Sequence, residues 1–206
     1  MQPGAETKFT SADLLLMSDD GRRYEVIAGE LYVSRQPHWR HQFTCGQLFR
    51  FLQEWSDRSG LGVANGAPGL IFAEDNDVAP DVVWISHDRL VAALGEDGKL
   101  HAAPELVIEV VSPGLANQQR DRQTKLKLYS RRGVLEYWIV DWQQQQVEVY
   151  RRAQAELTPV ATLSRGDALQ SPLLPAFFCQ VATLFLQTYH SRKWSTKFVE
   201  GLANRS

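Results

Sequence analysis

The stretch PELVIEVVSP, residues 104–113, sets Glu109 between Leu-Val-Ile and Val-Val. Glu is among the side chains least often buried, and a buried carboxylate is costly unless a cation or a proton meets it. Side chains alternate along a strand, so Glu109 would share a face with Val107 and Val111. A half-solvated face would be expected to show more than one polar residue, whereas strands covered on both faces read as nearly continuous apolar runs. The stretch therefore reads as an interior strand whose carboxylate has a partner elsewhere in the chain. The alternative is a Glu on an exposed sheet face.

Working outward, ANQQRDRQTKLKLYSRRG (116–133) reads as a helix. Leu126, Leu128 and Tyr129 give it an apolar side, and Gly133 is placed to end it. LEYWIVDW (135–142) is a second apolar strand. Strand, helix, strand demands a parallel pair. The rest reads as hairpins and helices. RYEVIAGELYVSR (23–35) is a hairpin turning at Ala28-Gly29, and TSADLLLM (10–17) is a short helix. Residues 37–60 have apolar side chains at 39, 43, 48, 51, 52 and 55, the spacing of an amphipathic helix stopped by Gly60. Residues 61–86 read as two or three short strands with a polar turn at Glu74–Asp77. HDRLVAALGEDGKL (87–100) is a short helix and a loop. QQVEVYRR (145–152) and TPVATLS (158–164) extend an antiparallel edge. LLPAFFCQVATLFLQ (173–187) reads as a buried loop running into a docking helix. The class is α/β, a mixed central sheet flanked by helices. Residues 1–189 are expected to form a single domain and 190–206 a loosely ordered polar tail.

The formal net charge of −2 excludes a globally basic nucleic-acid binder, so any anion-binding surface must be a local patch. Cys45 and Cys179 stand in apolar surroundings without metal-type spacing, which suits buried thiols in a reducing compartment. No secretory leader is evident, and the late apolar run is too short to span a bilayer. A cytoplasmic protein without a membrane partner is expected.

Three residues stand out for chemistry. Glu109 is one. Asp81 follows a proline at the head of the apolar run VVWIS; its bland reading is a turn-ending Asp. Lys125 lies four residues from both Asp121 and Tyr129, on one helical face; its bland readings are a snorkelling lysine or a local pair with Asp121. Two strand-borne carboxylates can hold a hard divalent cation. That cation and a lysine together make phosphodiester hydrolysis possible. Two nearby carboxylates should also repel, so neutralising Asp81 would be expected to stabilise the metal-free protein.

Pro80-Asp81 followed by VIEVVSP resembles the PD-(D/E)xK nuclease superfamily. More specifically, YEVIAGELYV, PHWRHQ, APDVVWIS, PELVIEVVSP, DRQTKLKLY and GVLEYWIVD, in that order between about residues 10 and 187, resemble the Uma-two family of endonuclease-like proteins. The resemblance implies a restriction-endonuclease-like core with an added N-terminal hairpin and a C-terminal antiparallel extension. It implies Mg²⁺, or Mn²⁺ as a substitute, held by Asp81, Glu109 and the backbone carbonyl of Val110, acting on DNA in a homodimer. The superfamily's usual lysine position is Val111 here. The lysine would come from the next helix as Lys125, positioning and activating water, with Lys127 as the rival about 200° round the helix at ~100° per residue. Glu25 would be an accessory acid. His38 would touch a phosphate or a metal-bound water, or merely cap its helix. Arg120, Arg122 and Lys127 would track phosphates. Two alternatives remain: an inactive nucleic-acid-binding or scaffolding protein with the nuclease fold, and an interaction domain in which Glu109 and Lys125 form a purely structural pair.

Overall fold

A computed structural model describes residues 8–187; the expected tail at 190–206 lies outside the described residues. Strands β1 (Arg23–Ile27) and β2 (Glu30–Ser34) form the predicted hairpin. Its turn places Ala28 and Gly29 at φ 54° and 83°. That is the left-handed pair that a tight two-residue connection requires. Helix α2 (Trp39–Ser59) follows the short α1 (Ser11–Leu14), and Gly60 closes it at φ 67°. Four strands then appear where two or three were expected: β3 (Gly62–Gly66), β4 (Leu70–Ala73), β5 (Asn76–Val78) and β6 (Val82–Ser86). The polar turn is shorter than predicted, because Asn76 and Asp77 are buried strand residues. Asn76 Oδ1 accepts the Ala28 N–H at 3.1 Å, and Asp77 accepts from Lys99 Nζ at 3.1 Å. Both side chains are thereby satisfied inside the strand pairing.

After α3 (His87–Ala93) come β7 (Leu106–Val110), a long helical segment, β8 (Glu136–Asp141), β9 (Gln146–Ala153) and β10 (Glu156–Leu163). The main sheet has the order β10-β9-β8-β7-β6-β3, and its one parallel pair is β7 with β8. The opening stretch is thus an interior strand flanked by β6 and β8, and all five of its residues are buried. Leu106, Ile108 and Val110 face the side covered by α2, packing with Leu48, Leu52, Trp55 and Trp138. Val107 and Val111 face the opposite side, packing with Tyr129, Tyr137 and Ile139. A second sheet, β2-β1-β5-β4, is wholly antiparallel.

Two expectations need correction. The helix between β7 and β8 is not uniform: α4 (Leu115–Gln119) widens into a π-helical turn over Arg120–Lys125 before α5 (Leu126–Arg132) resumes. Residues 173–187 are not a loop and docking helix. β11 (Ala168–Ser171) and β12 (Leu174–Gln180) form a hairpin, followed by a single 3₁₀ turn, Val181–Leu184. Leu174, Phe177 and Cys179 are the buried side chains that seat the strand, with Phe177 and Cys179 two apart on one face.

Candidate active site

Asp81 immediately precedes β6, and Glu109 lies on β7. The two strands pair antiparallel with Val82 opposite Ile108, which brings the two acids side by side. Both line one cleft of about 200 Å³. The β1–β2 hairpin, read from sequence as an addition to the core, supplies much of its wall. Arg23 NH1 donates to Asp81 Oδ1 at 3.0 Å and to the Ala79 carbonyl at 3.1 Å. The Ala79 N–H donates to Glu25 Oε1 at 3.0 Å. β1 is therefore bonded to the segment that delivers Asp81.

The partner of Glu109 is Lys125. Lys125 Nζ donates to Glu109 Oε1 and to Glu25 Oε1, each at 2.8 Å, and the Tyr129 hydroxyl donates to the same Glu109 oxygen at 2.7 Å. Both bland readings of Lys125 fail. Its side chain is 1 % exposed, and it turns to Glu109 and Glu25, while Asp121 pairs with Arg120. Among the described residues no donor reaches Glu109 Oε2, and Glu109 lines the cleft.

The two acids sit in opposite electrostatic conditions. Burial pushes the Glu109 carboxyl up to about 7, outweighing the charge of Lys125, with Asp81, Asp121 and Glu25 adding to the rise. Burial would also raise Asp81, but the hydrogen bond and charge of His41, the charge of Arg23 and the Val110 N–H hold it well below the usual carboxylate range. The repulsion expected to make Asp81 a liability is thus more than offset at Asp81 itself. His41 Nε2 stands 3.4 Å from Asp81 Oδ2, and the Val110 N–H donates to that oxygen at 2.9 Å. Burial alone would lower His41, yet the Asp81 hydrogen bond and charge raise it. For Lys125 burial opposes the charge, and Glu109 and Glu25 raise it nonetheless. For Glu25 burial is again opposed by Lys125, which keeps the carboxyl low.

Not every expected residue reaches the cleft. Glu25 is buried behind it as the second anchor of Lys125, with Arg120 NH1 4.0 Å from its Oε2. Arg120 lines the cleft, bonding Asp121 and the Ser34 hydroxyl. Arg122 instead turns to Glu148 at 2.8 Å and Asp141 at 3.2 Å on β9 and β8. Lys127 is exposed and borders a separate depression with Gln123 and Arg131, as a two-residue helical step requires. His38 caps α2, accepting the Arg40 N–H at 3.1 Å, and stacks on Trp142 at 4.8 Å.

Sequence reasoning passed over Arg22, Arg23 and Arg35, which line the cleft, and the partnership of His41 with Asp81. His41 was legible in principle. The buried stripe of α2 runs His41, Cys45, Leu48, Leu52, Trp55, while Trp39, taken as its first member, is 75 % exposed. A polar residue in register with an apolar stripe is the signal. The hairpin arginines carried none, since only tertiary packing brings β1 to β6.

A mixed sheet with one acid on a strand and another at the head of its neighbour, backed by a buried lysine and covered by helices, defines a restriction-endonuclease-like fold. The Uma2 family, described as "Putative restriction endonuclease", matches residues 11–182, and the chain belongs to that family. Its fold is similar to the crystal structure of "a putative nuclease belonging to DUF820 from Anabaena variabilis ATCC 29413", with a TM-score of 0.68 at 18% identity. The match covers 86% of this chain and 97% of that one. Comparison with curated proteins returned no match. Among the described residues no helix is long and apolar enough to cross a membrane.

Proposed function

We propose that this chain is a divalent-cation-dependent endonuclease that hydrolyses DNA phosphodiester bonds. The observation carrying the reading is the meeting of Asp81 and Glu109 in one cleft that four arginines, Arg22, Arg23, Arg35 and Arg120, also line. Arg23 is paired with Asp81 and Arg120 with Asp121, so what the cleft offers a polyanion is its set of guanidinium donors, which bind phosphate oxygens in pairs.

The donor set fits a hard cation such as Mg²⁺, with Mn²⁺ as its substitute. Asp81, Glu109 and the Val110 carbonyl would hold it, all through oxygen. Glu109 lines the cleft, and among the described residues no protein donor reaches its Oε2. The chemistry a cation held there would supply is polarisation of a phosphoryl oxygen and acidification of a bound water. Lys125 does not line the cleft, so in this reading it positions Glu109, in place of the positioning and activation of water that the resemblance implies. It pins Glu109 Oε1, leaves Oε2 without a bond to it and favours the ionised carboxylate. Glu25 holds Lys125 in turn. The arginines orient the phosphate, and Arg23 must share itself between Asp81 and substrate. Two strands of a duplex call for two such sites, and a homodimer supplies them.

Plasmid nicking with Mg²⁺ or Mn²⁺ tests the reading. Wild type should cleave, and Asp81→Asn and Glu109→Gln should each lose at least about a hundredfold, the scale of a lost electrostatic group in catalysis. Cleavage by Asp81→Asn at the wild-type rate would refute it. The seclusion of Lys125 favours a second reading, a DNA-binding protein that does not cut. Salt-sensitive binding with no cleavage under either ion would establish that one.

A further inference from the structure

The reading above leaves one buried donor group unused. Cys45 follows His41 by four residues on α2, one helical turn, so the two side chains share a face. His41 Nδ1 lies 3.5 Å from Cys45 Sγ, and its Nε2 lies 3.4 Å from Asp81 Oδ2. One donor atom from each of His41, Cys45 and Asp81 falls within 4.8 Å of the others, and all three residues are buried. A tetrahedral zinc site, with bonds of about 2.0–2.3 Å, sets neighbouring donors roughly 3.5 Å apart. The two short contacts use different ring nitrogens and a cation takes one, so binding requires the imidazole to turn toward both partners.

We propose that His41, Cys45 and Asp81 form a site for a zinc-class cation, which competes with the hard-cation site for Asp81. Two points of donor chemistry and one geometric observation support it. A thiolate and an imidazole select Zn²⁺ over Mg²⁺, whereas the Asp81–Glu109 pair offers oxygen alone. Three protein donors leave a fourth position for water. Cys45 and Asp81 also line a groove of about 270 Å³, shared with Gln42, Phe49, Gly66 and Ala67, whose lining does not include Glu109. This groove opens on the thiol from the α2–β3 side; it shares Arg23 and Asp81 with the arginine-lined cleft, while His41 lines that cleft instead. Binding forms the sulfur–metal bond as the Cys45 thiol releases its proton to solvent. Asp81 is the hinge between the two donor sets: one more positive ion on its carboxylate opposes a second on the Glu109 side. The soft site stands by itself; only its competition with Mg²⁺ rests on the function proposed above.

Cobalt titration of the full chain tests the site. Co²⁺ should produce a sulfur-to-metal charge-transfer band in the near ultraviolet, displaced by Zn²⁺, absent in Cys45→Ser and retained in Cys179→Ser. In wild type, stoichiometric Zn²⁺ should slow alkylation of Cys45 at least tenfold, a measurement that needs no variant to fold. Absence of the band, its persistence in Cys45→Ser, or unprotected alkylation would overturn the soft site. Competition is read separately. Zn²⁺ should suppress Mg²⁺-dependent cleavage by wild type while Cys45→Ser keeps its cleavage and is at least tenfold less sensitive. Equal sensitivity of the two proteins would overturn the competition. A protein that never cleaves but shows the thiolate band refutes the endonuclease reading and leaves the soft site established.

Discussion

Glu109 and Asp81 predict opposite pH dependences. Glu109 has an ordinary value of 4.5 and is pushed up to about 7 by burial. Between those values the folded chain keeps a proton that the unfolded chain releases, so this group's contribution to stability is intact below about 4.5 and lost as pH rises through about 7. At 1.36 kcal/mol per unit, the loss is about 3 kcal/mol. Glu109→Gln retains an acceptor for Lys125 and Tyr129, and should gain about that much on wild type across the window in metal-free denaturant melts. A constant difference from pH 4 to 8, on a scale set by the ordinary range of carboxyl titration, would contradict the assignment. Asp81 has its pKa lowered from 3.8, so its contribution is present above that value and lost as pH falls. Asp81→Asn should accordingly destabilise the metal-free protein near neutrality by about 1–3 kcal/mol, the scale of lost charge-assisted hydrogen bonds. A rise in melting temperature would restore the simple repulsion picture. Lys125→Met leaves Glu25 and Glu109 buried without their shared cation, and should cost about 3–5 kcal/mol.

Among the elements, the π-helical turn Arg120–Lys125 does the most for the site. Such turns insert one residue into an α-helix and recur at functional sites. Here the turn holds Arg120 against Ser34 on the hairpin and Lys125 against Glu109 on β7. The Tyr137 hydroxyl on β8 locks it by donating to the Asp121 carbonyl at 3.0 Å. Deleting the exposed Gln123 would permit a regular helix but rotate Arg120 relative to Lys125 by about 100°. The expected result is a folded protein of lower melting temperature whose cleavage falls at least as far as that of Asp81→Asn. Unchanged activity would mean that the turn plays no part in the site. The π turn was not legible in DRQTK, because the apolar spacing around it reads as an ordinary amphipathic helix. What selects the wider turn is the pair of distant anchors, Ser34 and Glu109.

For the molecule as a whole, charge is local. A net charge of −2 coexists with a cleft lined by four arginines. Each phosphate neutralised on DNA binding contributes about 0.9 to the slope of log K against log salt. Arg22→Ala and Arg35→Ala should each flatten that slope by roughly one and weaken binding for all sequences alike. Lys127→Ala, removing a residue away from the cleft, should leave it unchanged. A Lys127 effect equal to that of Arg35 would put the binding face on the helix, where the sequence reading had placed it.

The sequence by itself determined the elements and their class. Alternation and apolar continuity mark β7 and β8 as interior strands, the connection between them forces a parallel pair, and glycines end the helices. It also singled out Asp81, Glu109 and Lys125, because a charge set in an apolar run must be answered by another. Local pattern carries these readings since burial periodicity is a property of neighbouring residues. The tertiary structure alone decided that Lys125 is sealed behind Glu109, that Arg122 and Lys127 point elsewhere, and that hairpin arginines line the cleft. Those facts depend on which segments pack together, across 50 residues or more for Arg23 with Asp81 and Lys125 with Glu25, and across 16 to 26 for Lys125 with Glu109 and Arg122 with Asp141 and Glu148. No local periodicity records such a meeting; it is fixed by the joint burial of both sheets.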